Sequence, residues 1–82
     1  MMMKQVLIDL AKSIVNKPEC VEVTESVNGD TVYLKLKVDE SDLGKVIGKQ
    51  GKIAKAVRTV VRAVANKENK RVIVDILETD EE

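Results

Sequence analysis

The residues best suited to chemistry lie in one segment, Leu43-Gly44-Lys45-Val46-Ile47-Gly48-Lys49-Gln50-Gly51-Lys52-Ile53-Ala54. Gly48 and Gly51 stand three apart, which allows a sharp turn and a close approach of backbone to a ligand. The residues after Gly51 have helical spacing, so the turn feeds a helix N-terminus with unpaired N–H groups and a partial positive charge. Lys45, Lys49 and Lys52 bring full charges to the same place, and Lys55 follows one helical turn later. Amides and ammonium groups gathered at a tight bend suit a phosphate.

Two phosphate loops do not fit. A P-loop needs four residues between its glycines and then Lys-Ser/Thr. Gly44 and Gly48 enclose three, and Gln50 stands where the Mg²⁺-binding hydroxyl belongs. A dinucleotide fingerprint follows a strand and reads Gly-x-Gly-x-x-Gly. Here a helical segment precedes the loop, and Lys49 breaks the spacing.

Composition removes other chemistries. The 82 residues contain no His, Trp or Phe, one Cys (Cys20) and one Tyr (Tyr33). Without His there is no Ser–His–Asp or Cys–His catalysis and no imidazole metal site. A single Cys closes no intrachain disulfide and builds no four-thiolate zinc site. That fits a reducing compartment. Neither metal nor cofactor is expected, and Asp39, Glu40 and Asp42 read as a helix cap. One Tyr cannot make the aromatic platform on which many RNA modules stack bases. No apolar run nears the ~18 residues of a membrane span, and residues 1–5 do not read as a secretory signal. The expectation is a soluble, cytoplasmic protein.

Lys plus Arg and Asp plus Glu are 14 each, but the charges are segregated. Residues 1–44 carry five basic and eight acidic groups, a net of −3. Residues 45–71 carry nine basic groups against Glu68 alone, a net of +8. Residues 72–82 carry five acids and no base. A basic block in a neutral chain points to one anionic partner bound at one place.

Six elements must position that block. Met3, Leu7, Leu10 and Ile14 recur at helical spacing, and Asn16-Lys17-Pro18 closes a helix over residues 3–16. Residues 20–27 and 31–38 alternate as strands around an Asn28-Gly29-Asp30 turn, which makes a hairpin. Asp39 or Ser41 caps a short helix from Asp42 to Ile47. After the glycine loop, a helix runs from Lys52 to Asn66. Its apolar arc of about 100° holds Ile53, Val57, Val60, Val61 and Val64. Lys55, Arg58 and Arg62 gather on the other side, with Lys52 at the edge of their stripe. Arg71 to Leu77 is a last strand, parallel to a neighbour because a crossover through helices returns the chain in the same direction. The fold class is α+β in the order αββααβ, a three-stranded mixed sheet with three helices on one face. Residues 1–77 form a single domain, and 78–82 an acidic, frayed tail. The expected sheet core is Val21, Val23, Val32, Leu34, Leu36, Val38, Val72, Val74 and Ile76.

Val46-Ile47-Gly48-Lys49-Gln50-Gly51-Lys52-Ile53, set between two helices in this order of elements, resembles the KH domain. The signature of that family is a GxxG loop clamping a short stretch of nucleic-acid backbone. The order αββααβ is similar to the type II, prokaryotic arrangement. Gly44 to Val61 with Glu68-Asn69-Lys70-Arg71-Val72 resembles the stand-alone bacterial KH proteins of the KhpA family. The resemblance covers residues 3–77. It implies single-stranded RNA held along Gly48–Gly51, with Lys45, Lys49, Lys52, Lys55 and Gln50 at the backbone and bases resting on Ile47 and Ile53. It also implies a second KH protein of the KhpB (Jag, EloR) kind as partner, and a role as RNA chaperone or post-transcriptional regulator in cell-wall synthesis and cell shape.

Alternatives stand beside these. Ile47 and Ile53 read equally as core or groove floor, and Arg58 and Arg62 equally as an ordinary solvated face. Tyr33 reads as an exposed ring available to a partner. A second function reading is a protein-interaction module whose fold mainly mediates dimerisation, a homodimer among the partners it allows. A small enzyme is disfavoured, since no activated nucleophile, metal cluster or paired buried acid can be assembled.

Overall fold

The computed structural model describes residues 2–77. The acidic stretch 78–82, read as a frayed tail, lies outside the described residues. Helix α1 spans Met2–Ile14, strand β1 Glu22–Asn28, strand β2 Thr31–Lys37, helix α2 Leu43–Ile47, helix α3 Lys52–Lys67 and strand β3 Arg71–Ile76. Short 3-10 turns at Pro18–Cys20, Glu40–Asp42 and Lys49–Gly51 fill three of the joints.

The sheet order is β1-β2-β3. β1 and β2 are antiparallel, and β2 and β3 are parallel. Alternation in β2 explains why one face is buried. Val32, Leu34 and Leu36 are sealed under the helices, whereas Tyr33, Lys35 and Lys37 face out. Register extends each face across the sheet. Leu34 sits beside Val74 and Leu36 beside Ile76 on the inner side, and Tyr33 beside Ile73 and Lys35 beside Asp75 on the outer. Met3, Leu7, Ala11 and Val15 close the core from α1, Val46 from α2, and Ala54, Val57, Val61 and Ala65 from α3. Val21, Val23 and Val72, expected in this core, are only partly buried against it.

The joints differ from the reading of the sequence in several places. α1 stops at Ile14 rather than residue 16. The amides of Asn16 and Lys17 donate instead to the Asp42 carboxylate, at 3.1 and 2.9 Å. Asp42 is 1% exposed and is not the side-chain cap of α2. Its charge is accommodated inside because two backbone donors meet it. Asp39 instead caps the Glu40–Asp42 turn that leads into α2, accepting from the Ser41 amide at 3.0 Å and from the Ser41 hydroxyl. Cys20 belongs to the Pro18–Cys20 turn, so β1 begins two residues later than expected. In the hairpin, Asn28 pairs with Thr31 as strand, and only Gly29 takes a positive φ.

The face of α3 is rotated from the expected one. Ala54, Val57, Val61 and Ala65 are buried, but Ile53 and Val60 are exposed, by 38% and 43%. Ala54 and Ala65 share the buried face with Val57 and Val61, and their small side chains let the helix approach its neighbours closely, which turns Ile53 and Val60 outward. Arg58 is thereby drawn inward, and its Nε donates to the Val74 carbonyl on edge strand β3 at 3.1 Å.

Candidate nucleic-acid interface

The interface begins with the bend between α2 and α3. α2 ends when the Gly48 amide donates to the Gly44 carbonyl at 2.8 Å. The backbone then reverses through three residues of positive φ: Gly48 (73°), Gln50 (56°) and Gly51 (76°). Gly48 pairs that φ with ψ 177°, a region open essentially to glycine alone. It has a second reason to lack a side chain, since a Cβ there would come within 2.3 Å of Ile53 Cγ1. Gly51 needs only the left-handed backbone, because a Cβ there would meet open space. Gly44 has neither constraint.

The bend is exposed. Lys49, Gln50 and Lys52 lie on the surface, with Gly48 and Gly51 half-buried. Part of its amide set is used internally. Gly51 N–H donates to Gly48 O at 3.3 Å, and Lys52 N–H to Lys49 O. These bonds leave out the amides of Lys49 and Gln50. α3 also starts without a side-chain cap, since its N-cap is Gly51. The first turn of a 16-residue helix therefore faces the bend with its dipole end uncovered.

The structure brings most of the expected residues together. Lys45 on α2, Lys49 in the bend, and Lys52 and Lys55 on the first turn of α3 are all exposed. Ile47 is half-buried and Ile53 exposed, so neither belongs to the sealed core. Ile53 sits directly under Gly48 and supports the bend. Of the stripe that continues from Lys55, Arg58 is bound to β3 and is part of the fold, whereas Arg62 is exposed farther along α3.

A groove of about 460 Å³ lies at the opposite end of α3. Arg62 and Asn66 from α3, Lys70 and Arg71 at the start of β3, and Tyr33 and Ile73 on the outer sheet face line it. None of the loop lysines does. Sequence reasoning did not join these residues. The signal was present in the separate basic positions Arg62, Lys70 and Arg71, but only the parallel pairing of β3 with β2 puts Arg71 and Ile73 beside Thr31 and Tyr33.

Among the described residues, no cluster of acidic or thiol groups could hold a metal ion. None of the described helices is long and apolar enough to cross a membrane.

A GxxG bend between two helices, on a mixed sheet in the order αββααβ, defines a KH domain of the type II arrangement. Comparison with known proteins agrees. The family model for the KH domain of KhpA and KhpB matches residues 4–76, and the chain belongs to that family. It is 56% identical over 75 residues to a protein of Clostridium perfringens named RNA-binding protein KhpA, covering 92% of this chain and all of the relative. A protein of the same name from Aquifex aeolicus is 46% identical over 76 residues, covering 93% of this chain and 96% of its own. Among solved structures, Aquifex aeolicus Era bound to GDP and AlF4⁻ superposes with a TM-score of 0.64 at 17% identity. So does Era in complex with MgGDPNP and nucleotides 1506–1542 of 16S ribosomal RNA. The match covers 92% of this chain but 29% of each Era chain, so the likeness is one of fold. Family membership makes the protein a KH protein and not an enzyme.

Proposed function

We propose that residues 1–77 act as one domain that binds single-stranded RNA and catalyses nothing. The observation that carries this reading is the bend itself. Three positive-φ residues hold an exposed turn at an uncapped helix start, with Lys45, Lys49, Lys52 and Lys55 around it. A sugar–phosphate backbone runs along Gly48–Gly51, where Lys49, Gln50 and the amides meet its oxygens. Bases rest against Ile47 and Ile53, the aliphatic side chains at the two ends of the loop. The names of the relatives support RNA as the ligand.

The same reading extends to the cell. A footprint of about four nucleotides gives weak affinity alone, so a second RNA-binding module would add avidity. A KhpB (Jag, EloR) kind of KH protein fills that place, and the pair works in the cytoplasm as an RNA chaperone or post-transcriptional regulator of cell-wall synthesis and cell shape. Homodimerisation is the second reading, and one observation favours it. Ile53 and Val60 lie seven residues apart and are both exposed on one side of α3, an apolar stripe that a second helix would cover.

The test replaces Lys49 and Gln50 by Asp together, which sets two negative charges where phosphate would lie. RNA binding is expected to vanish while helix content and melting stay nearly unchanged. Retained affinity would overturn the assignment of the loop. Size exclusion with and without RNA separates the two readings, since a stable dimer without RNA affinity would favour homodimerisation.

A further inference from the structure

We propose that the groove between the C-terminal half of α3 and the start of β3 binds a second stretch of the same single-stranded RNA, with one base stacked on Tyr33 and its phosphates held by Arg62, Lys70 and Arg71. This rests on the reading that the GxxG bend binds RNA, and extends it to a place the bend does not reach. Arg62 and Asn66 follow Lys52 by ten and fourteen residues, which is roughly 15–21 Å along the helix axis.

The lining has the chemistry of a nucleotide site. Its charged members are all cations, and it contains no acidic residue. Among the described residues, Arg62, Lys70 and Arg71 have no ion pair. Three unpaired cations around one concavity attract a polyanion. Tyr33 is the only aromatic residue of the chain. It is 38% exposed beside its cross-strand neighbour Ile73, itself 49% exposed. An exposed aromatic ring offers a flat face to a base. The Asn66 amide, in the same lining, can donate to and accept from a base edge. The volume of about 460 Å³ falls within the usual range of small-molecule sites.

The groove is also preformed. α3 ends in a turn in which Asn69 takes a φ of 59° and the Lys70 amide donates back to the Ala65 carbonyl at 2.9 Å. Arg71 is tied to the hairpin through its amide, which donates to Asp30 O at 2.9 Å. Helix, turn and strand are therefore fixed relative to Tyr33 before any ligand arrives. An acidic peptide would satisfy the cations but leave the ring face without a planar partner, and RNA satisfies both.

The experiment measures fluorescence anisotropy with random-sequence, unstructured RNA of about four and about ten nucleotides, the shorter matching one KH footprint. The variants are Tyr33→Ala, Tyr33→Phe and the double charge reversal Arg62→Glu/Arg71→Glu, each checked for unchanged melting. Wild type is expected to bind the longer RNA more tightly. Tyr33→Ala should weaken the longer RNA by about five-fold or more, in line with loss of one stacked base, and leave the shorter one within about two-fold. Tyr33→Phe should retain wild-type affinity, and the charge reversal should abolish the advantage of length. ¹³C-edited spectra should show the Tyr33 ring protons moving upfield with the longer RNA only. Equal affinity of wild type for both lengths would overturn the proposal, as would an unchanged Tyr33→Ala or displacement of the longer RNA by polyglutamate at equal charge. Failure of wild type to bind either RNA would overturn the loop assignment as well. Binding of the short RNA without any advantage of length overturns this proposal alone.

Discussion

At the scale of single residues, the bend depends on two glycines for different reasons. Gly48 is required by its backbone region and by the side chain of Ile53 beneath it, and Gly51 by backbone alone. Gly51→Ala should cost about 1–2 kcal/mol, the usual cost of a left-handed L-residue. Gly48→Ala should cost about 3 kcal/mol or more, because a strained region is joined by a clash that Ile53 can relieve only by moving its own backbone. Thermal denaturation of the two variants should show this order. Asp39 carries a pH dependence. The Ser41 hydroxyl and then the Ser41 amide, with Lys17 at 3.7 Å adding a smaller effect, hold its carboxyl below the ordinary value of 3.8. A folded-state value that is lowered means stability present above the ordinary range and lost as pH falls through it. At neutral pH, Asp39→Asn should therefore melt below the parent. The gap should close as acid protonates Asp39, which melting curves across the acid range would record.

At the scale of elements, long-range ties were the least legible part of the sequence. The alternation of Val32, Leu34, Leu36 and Val38 against Tyr33, Lys35 and Lys37 predicted the buried face of β2 directly, since period two leaves a strand no other choice. The parallel return of β3 followed from crossover geometry. Helix α3 was harder. Periodicity weighted toward large apolar residues put Ile53 and Val60 inside, whereas packing chose Ala54 and Ala65. Arg58 looked like one of three equivalent surface cations, because nothing local announces a bond to the Val74 carbonyl sixteen residues later. Asp42 resembled a cap by position but joins the end of α1 to the start of α2 across more than twenty residues. Asp42→Ala removes the acceptor of two amides and should cost roughly 1–3 kcal/mol. For a domain this size each kcal/mol lowers Tm by about 4–8 °C. Asp42→Asn, which keeps one acceptor oxygen, should lose less.

At the scale of the whole molecule, α3 is the axis on which the proposed function turns. Its sixteen residues make a rod of about 24 Å, with the GxxG bend at one end and the basic groove at the other. One side presents the exposed Ile53 and Val60 and another ties into the sheet through Arg58. Fold, bend and family agree because the bend was readable as a motif, while the groove needed the tertiary arrangement to exist at all. The central claim is that the bend grips the sugar–phosphate chain. The most direct measurement is a titration of ¹⁵N-labelled protein with an unstructured RNA of about four nucleotides, followed amide by amide. The account predicts that the largest shifts fall on Lys49, Gln50, Gly51 and Lys52, with smaller ones at Ile47 and Ile53. Silent amides across Gly48–Lys52, with shifts confined to α1 or to strand β1, would contradict it.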